Sequence, residues 1–223
     1  MLQNKSLSRL EAFSDGVFAI AITLLIIEIK VPPLNSIHSA NDLIHALVHQ
    51  WPSYFAFLFT FGGILVQWIL HHNIFNFLSG TSRTFLYSNG FLLLTIVFLP
   101  YPTALLAEYL NTPYAMPAIV FYGLACILNS FGWFLFIRTM YKPKRIIKNE
   151  AIAGEQVDKM KRNNLPALII YIATTILAIW LPYIGLILNC ALWILWVSLS
   201  LAEKEEAYLP VSEGAVEKRK FPE

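Results

Sequence analysis

The stretch SLSRLEAFSDGVFAIAITLLIIEIK, Ser6 to Lys30, decides how this chain is read. Ser8 followed three residues later by Glu11 has the spacing of a capping box, so a helix starts here. From Gly16 to Ile27 every residue except Thr23 is apolar or glycine. Those twelve residues span roughly 18 Å of helix at ~1.5 Å per residue. A hydrocarbon core of about 30 Å takes nearer twenty residues. The helix must therefore carry Ser14 and Asp15 into or against the membrane, and something must hold them there.

That the segment meets a membrane follows from composition. Of 223 residues, 57% are hydrophobic and 13% charged, and the mean hydropathy is +0.59. A soluble domain of this size carries about twice as much charge. The chain is expected to be an all-α, polytopic membrane protein. Six apolar segments stand out, at about 10–30, 51–70, 84–107, 114–137, 165–181 and 184–201, forming one six-helix transmembrane domain over 1–201 and leaving a tail at 202–223. The last two segments are joined by LPYIG, where Pro182 and Gly185 supply turn chemistry. Pro100 and Pro102 near the end of the third predict a kink or helix end. Nothing in the opening resembles a cleavable signal peptide. Cys126 and Cys190 fall within apolar segments and read as buried, inert thiols.

Charge gives direction. Six spans put the N-terminus, the 71–83 and 138–163 loops and the tail on one side. That side holds fifteen of the sixteen Lys and Arg residues, with Lys30 alone opposite. The positive-inside rule then predicts two cytoplasmic termini in a cell membrane. The basic loop from Arg138 to Arg162 reads as a topology signal, with anionic lipid head groups as its alternative partner. There is no P-loop, dinucleotide fingerprint, Cys-x-x-Cys or nucleic-acid module. An enzyme, a cofactor and a nucleic-acid partner are accordingly not expected.

Polar side chains at membrane depth are functional candidates. One cluster is Arg9, Glu11, Ser14 and Asp15 in the first span; the other is Trp68, His71, His72 and Asn73 at the end of the second. Both lie on the same side of the membrane and can meet. Glu11 and Asp15 are i,i+4 on one face, a like-charge pair that needs an offset. Arg9 lies about 240° round the helix from Asp15, too far to supply it. Asp15 is expected to pair with His71, His72 or Asn73, or with a neighbouring subunit, as a polar clamp on the inner end of span one. Adjacent histidines are about 100° apart on a helix and diverge, which argues against a metal site. A proton relay through Asp15 and histidine is the alternative.

These residues resemble a known family. RLEAFSD, with Arg9, Phe13, Ser14 and Asp15, fits the R-x-x-x-F-S-D signature of the transmembrane protein 175 potassium channels. WILHHNIF is similar to the Trp-x-x-His-His segment that follows it in prokaryotic members. Six spans and one copy of the signature resemble the prokaryotic form. The resemblance implies a homotetramer in membrane lipid, with span one of each subunit lining a passive, potassium-selective pore. Constriction would come from branched apolar side chains on the axis, at Ile20, Thr23 or Leu24, and Ile27.

The residues support that face in one respect: Ile20, Thr23, Leu24 and Ile27 follow i, i+3, i+4, i+7 on one stripe of a helix. Four such stripes would make stacked apolar rings, which restrict permeation by dewetting. Thr23 carries the one hydroxyl between Gly16 and Ile27. It either contacts the ion or bonds back to the carbonyl of Ala19. The competing function is a proton-coupled transporter using Asp15 and the His71/His72 pair. Transporters often show paired broken helices and internal repeats, and neither is found here.

Overall fold

The computed structural model describes the backbone of residues 2–141 and 150–207, and the side chains of 6–140, 160, 162–196 and 198. The basic loop at 142–149 and the tail at 208–223 lie outside the described residues. Within them the chain is helical: α1 (Leu2–Leu24), α2 (Ala40–His49), α3 (Trp51–Asn76), α4 (Arg83–Phe98), α5 (Pro100–Tyr109), α6 (Ala115–Tyr141), α7 (Glu150–Leu177) and α8 (Pro182–Ala207). Two 3₁₀ turns follow α1, at Leu25–Glu28 and Leu34–Ser36. Four stretches are long and apolar enough to cross a membrane: Ser6–Glu28, Trp51–Asn76, Arg83–Tyr109 and Ala115–Met140. Pro182–Trp196 adds a shorter apolar helix. This is a multi-pass membrane protein.

Local chemistry sets several helix ends. The Ser82 hydroxyl accepts the Phe85 N–H at 3.2 Å and opens α4. The third apolar segment is two helices rather than one, because Pro100 and Pro102 have no N–H to give the ladder. The turn tightens there, with the Leu99 N–H on the Ile96 carbonyl at 3.2 Å. The short helix α2 falls where no helix was expected. Its signal is Ser39-x-x-Asp42. The Ser39 hydroxyl accepts the Asp42 N–H at 3.2 Å, and the Asp42 carboxylate accepts the His38 N–H at 3.0 Å. That His38 N–H, with the Ser39 hydroxyl, holds the Asp42 carboxyl below its ordinary pKa.

The bundle is organised around α6, which packs against α4, α5, α7 and α8, while α1 sits at the edge against α3 and α4. One core joins Phe18 of α1 and Leu25 of the 3₁₀ turn that follows it to Ile64 and Phe75 of α3, Phe85 and Ile96 of α4, and Phe136 of α6. A second joins Leu106 of α5, Ile119 and Tyr122 of α6, Tyr171 of α7 and Leu186 of α8. Cys126 is buried and Cys190 half-buried, both as free thiols. Lipid tails are as apolar as leucine, so helix contacts depend on close packing and interhelical hydrogen bonds. Trp133 donates to the Gln67 amide oxygen at 2.7 Å, Asn129 to the Thr95 hydroxyl at 3.0 Å, and the Thr60 and Thr103 hydroxyls meet at 3.0 Å. Each such bond contributes about 0.6 kcal/mol on average.

The α7–α8 hairpin shows the packing limit most sharply. A Cβ on Gly185 would lie 2.8 Å from the Ala178 Cα and 2.9 Å from the Thr174 carbonyl oxygen. Both are backbone atoms and cannot swing away. Gly185→Ala should destabilise the protein by about 1–3 kcal/mol. Thermal unfolding in detergent, followed by loss of the monodisperse peak, measures this. Ala178→Gly in the same chain should restore part of the loss; no rescue would place the strain elsewhere.

Candidate functional site

Helix α1 has two faces. Leu7, Ser14, Phe18, Ala21 and Leu25 are buried, spaced so that one side of the helix meets α3 and α4. The opposite side is open in the subunit: Phe13 is 62% exposed, Ile20 57%, Leu24 39% and Ile27 60%. Gly16 and Thr23 are on this open side. The Thr23 hydroxyl donates to the carbonyl of Ile20 at 3.0 Å, one residue later than the Ala19 back-bond considered from sequence. The four residues of the expected stripe thus share an unpacked face.

On the packed side, α1 and α3 run antiparallel and exchange polar groups at matched positions. Trp68 Nε1 donates to Asp15 Oδ1 at 2.8 Å. One turn away, His72 Nδ1 lies 3.4 Å from Glu11 Oε1 and the His72 ring stacks on Trp68 with centroids 5.8 Å apart. Two i,i+4 pairs, Glu11/Asp15 and Trp68/His72, therefore meet in one register. Of the two acidic groups on this helix face, Asp15 thus has a hydrogen-bond partner on α3 and Glu11 has the His72 ring beside it.

A second chain of bonds runs deeper. The Ser14 hydroxyl donates to the Leu10 carbonyl at 2.9 Å and accepts from Asn89 Nδ2 at 3.0 Å. Asn89 Oδ1 then lies 2.8 Å from His71 Nε2. With its amide nitrogen already donating, Asn89 accepts at this oxygen, so Nε2 of His71 carries the proton. Ser14 and His71 are fully buried and Asn89 nearly so. The imidazole is packed among Phe18, Phe75 and Phe136, and its Nδ1 has no partner among the described residues.

Asp15 thus bonds Trp68, rather than the His71, His72 or Asn73 expected from sequence. The antiparallel register sets this: it places Asp15 opposite Trp68, one turn from His72, and leaves His71 pointing into the core. Arg9 is exposed, with no side-chain partner among the described residues, and Asn73 stands outside both sets of bonds. Asn89 was missed altogether. Its signal was present, since Ser88 and Asn89 interrupt the third apolar segment. Among the described residues no three His, Cys, Asp or Glu side chains gather as a metal site.

The geometry ranks substitutions in the clamp. Trp68→Phe keeps the ring against His72 but strands the Asp15 carboxylate. A lost bond to a charged group costs about 1.5–3 kcal/mol. Asn89→Leu leaves His71 Nε2 without a partner, while Ser14 keeps its bond to the Leu10 carbonyl, at about 1–3 kcal/mol for the one unsatisfied buried group. Asn73→Ala should be nearly neutral. Midpoints of thermal unfolding test the order, and an Asn73→Ala loss as large as that of Trp68→Phe would contradict it.

Comparison with known proteins places this arrangement. The profile described as "Endosomal/lysosomal potassium channel TMEM175" matches residues 9–100, which run from Arg9 within α1 through α4 and hold every residue of the clamp. A potassium channel of Chamaesiphon minutus is 50% identical over 126 residues, covering 54% of this chain and 62% of that protein. One of Streptomyces collinus is 41% identical over 133 residues, covering 57% and 63%. Both alignments thus span somewhat under two thirds of the relatives' own lengths. The crystal structure of a lysosomal potassium-selective channel TMEM175 homolog from Chamaesiphon minutus superposes with a TM-score of 0.74 at 37% identity, over 88% of this chain and 98% of that one. By its signature residues, its sequence and its fold, this chain belongs to the TMEM175 family.

Proposed function

We propose that the chain is a passive potassium channel: a homotetramer of six-span subunits in which the open face of α1 lines the pore. The observation that carries this reading is the division of α1 itself. Ser14, Asp15 and Phe18 are tied into α3 and α4, while Ile20, Leu24 and Ile27 stay uncovered on the other side. The potassium-channel names of its relatives support the same reading. Four copies around an axis would stack rings at Ile20 and Ile27, about 10 Å apart by helical rise, with the Thr23 hydroxyls between them. An apolar ring of that kind excludes a hydrated ion until the ion sheds or reorganises its water. The clamp fixes the rotation of α1 and with it the face shown to the ion.

The bonding of Asp15 supports a channel over a proton-coupled transporter. An indole N–H donates only, so the Asp15–Trp68 bond is no step in a proton relay. The distribution of Lys and Arg supports cytoplasmic termini and tail, in the plasma membrane of a prokaryote. Arg9, exposed at the inner end of α1, would then act on assembly or on local charge rather than on ion choice.

Purified protein in liposomes under a potassium gradient tests the function. Valinomycin-independent potassium flux, with ohmic current in the absence of a proton gradient, is expected. Flux that saturates and stops without a proton gradient would replace this reading with the transporter.

The pore face has its own test. Ile20→Asn and Ile27→Asn in every subunit should raise conductance several-fold and bring the potassium-to-sodium permeability ratio toward unity, because a polar ring restores partners to the ion. Asparagine at Leu25, which is buried, or at half-buried Ile22, should instead lower the yield of folded protein. Reversal potentials in mixed potassium and sodium decide it. Altered selectivity from the Leu25 or Ile22 variant, with Ile20 and Ile27 silent, would turn a different face of α1 to the ions.

A further inference from the structure

Helix α2 is explained by none of the above. It has ten residues and none of them is buried. Leu43, Ile44, Leu47 and Val48 are 42%, 58%, 41% and 67% exposed, while Asp42, His45 and His49 lie round the other side. The i, i+1, i+4, i+5 spacing gathers the four aliphatic residues on one face. An isolated helix under about 12–15 residues is marginal in water. The Ser39–Asp42 cap alone does not change that, so the apolar face needs a cover.

We infer that α2 is an interfacial helix whose apolar face lies in the head-group and upper acyl region of the lipid bilayer. Its position in the bundle carries the argument. Gln50 both ends α2 and precedes α3, so no loop separates the short helix from a membrane-crossing one. The Gln50 side chain donates to the Lys30 carbonyl at 2.9 Å, holding this junction beside the chain that leaves α1. The same end of the bundle carries an exposed aromatic set. Trp51 opens α3, Tyr109 closes α5, Tyr114 precedes α6, and Trp180 and Tyr183 flank the α7–α8 turn, at 51%, 39%, 67%, 70% and 53% exposure. The Tyr183 hydroxyl on the Leu110 carbonyl at 3.3 Å confirms that the α5 and α8 ends are neighbours. Tryptophan and tyrosine gather where a membrane meets water. An amphipathic helix at that level, continuous with exposed Trp51, Phe55 and Leu58 on α3, meets lipid with its aliphatic face and water with its histidines.

One consequence concerns α1. Because Gln50 grips the Lys30 carbonyl, a helix held at a fixed depth in the interface also fixes the height of the chain just beyond Ile27.

Single cysteines at Ile44 and Val48, with His45 and His49 as polar-face controls, test the inference. They are introduced into the full chain with Cys126 and Cys190 replaced by alanine, labelled with a small environment-sensitive fluorophore and reconstituted in phosphatidylcholine vesicles. Quenching by lipids bearing a nitroxide near the head group should be several-fold stronger at positions 44 and 48 than at 45 and 49. Aqueous iodide should give the reverse order. Strong iodide quenching at 44 and 48 would overturn the inference by leaving the face in water. Protection of 44 and 48 from both quenchers would overturn it too, by assigning the cover to a second copy of the chain. Should labelling at 44 or 48 disturb folding, Val48→Lys supplies a second measurement. It should lower the phosphatidylcholine-reconstituted yield while leaving the detergent-solubilised elution profile unchanged, and an unchanged reconstituted yield would contradict the proposed burial.

Discussion

The bond from the Trp68 indole to Asp15 fixes more than two side chains. A membrane helix rotates about its axis at little cost when all its sides are apolar, and residues 16–27 are apolar nearly all round. Nothing in that run tells α1 which side to turn inward. The polar groups just before it do. With Asp15 on Trp68, Ser14 on Asn89 and Glu11 beside His72, one rotation makes both hydrogen bonds and the contact, and a turn of about 100° makes none. The identity of the open face follows from bonds made one to three turns away from it.

Such bonds hold register well because the surroundings make them costly to break. Around buried Ser14, His71 and Asn89, an unpaired amide or imidazole has no water to fall back on. Removing one partner of a desolvated pair is therefore much worse than the modest net value of forming it. The same logic recurs along the bundle at Gln67–Trp133, Thr95–Asn129 and Thr60–Thr103, where neutral groups tie α3, α4, α5 and α6 at successive depths. Apolar packing among Phe18, Phe75, Phe85 and Phe136 then fills the space these contacts define. The aromatic cage around His71 joins the two kinds of contact, since the imidazole bonds Asn89 at one nitrogen and stacks on Phe136 with the rest of the ring.

At the opposite end α1 stops differently. The α-helix gives way to the 3₁₀ turn Leu25–Glu28, with Leu25 still buried and Ile27 open. A tighter turn changes the angle between successive side chains, so the last residues of the stripe are set by the transition as well as by the clamp. Glu28 pairs with Lys30 at 3.7 Å on the solvent side, and the Lys30 carbonyl receives Gln50. The proposed pore helix is thus anchored at both ends, by charge-bearing groups at one and by a backbone tie to the α2–α3 junction at the other.

Composition and periodicity alone determined the membrane class, the all-helical fold, the apolar segments and the two polar clusters, because lipid forces backbone groups into helices and makes every polar residue within them conspicuous. The candidate stripe Ile20, Thr23, Leu24 and Ile27 came from the family resemblance; its spacing fits one helix face, as any stripe of that apolar run would. What the sequence left open was which groups pair: Asp15 with Trp68 rather than with His71, His72 or Asn73, and Asn89 between Ser14 and His71. Those pairings depend on the relative height and rotation of three helices, and a one-dimensional pattern carries neither. The same holds for α2, whose cap was legible at Ser39 and Asp42 but whose bare apolar face shows only once the neighbouring helices are in place. Tertiary structure decided these points because helices are specified locally, whereas the partner of a buried polar group is specified by whatever the fold sets opposite it.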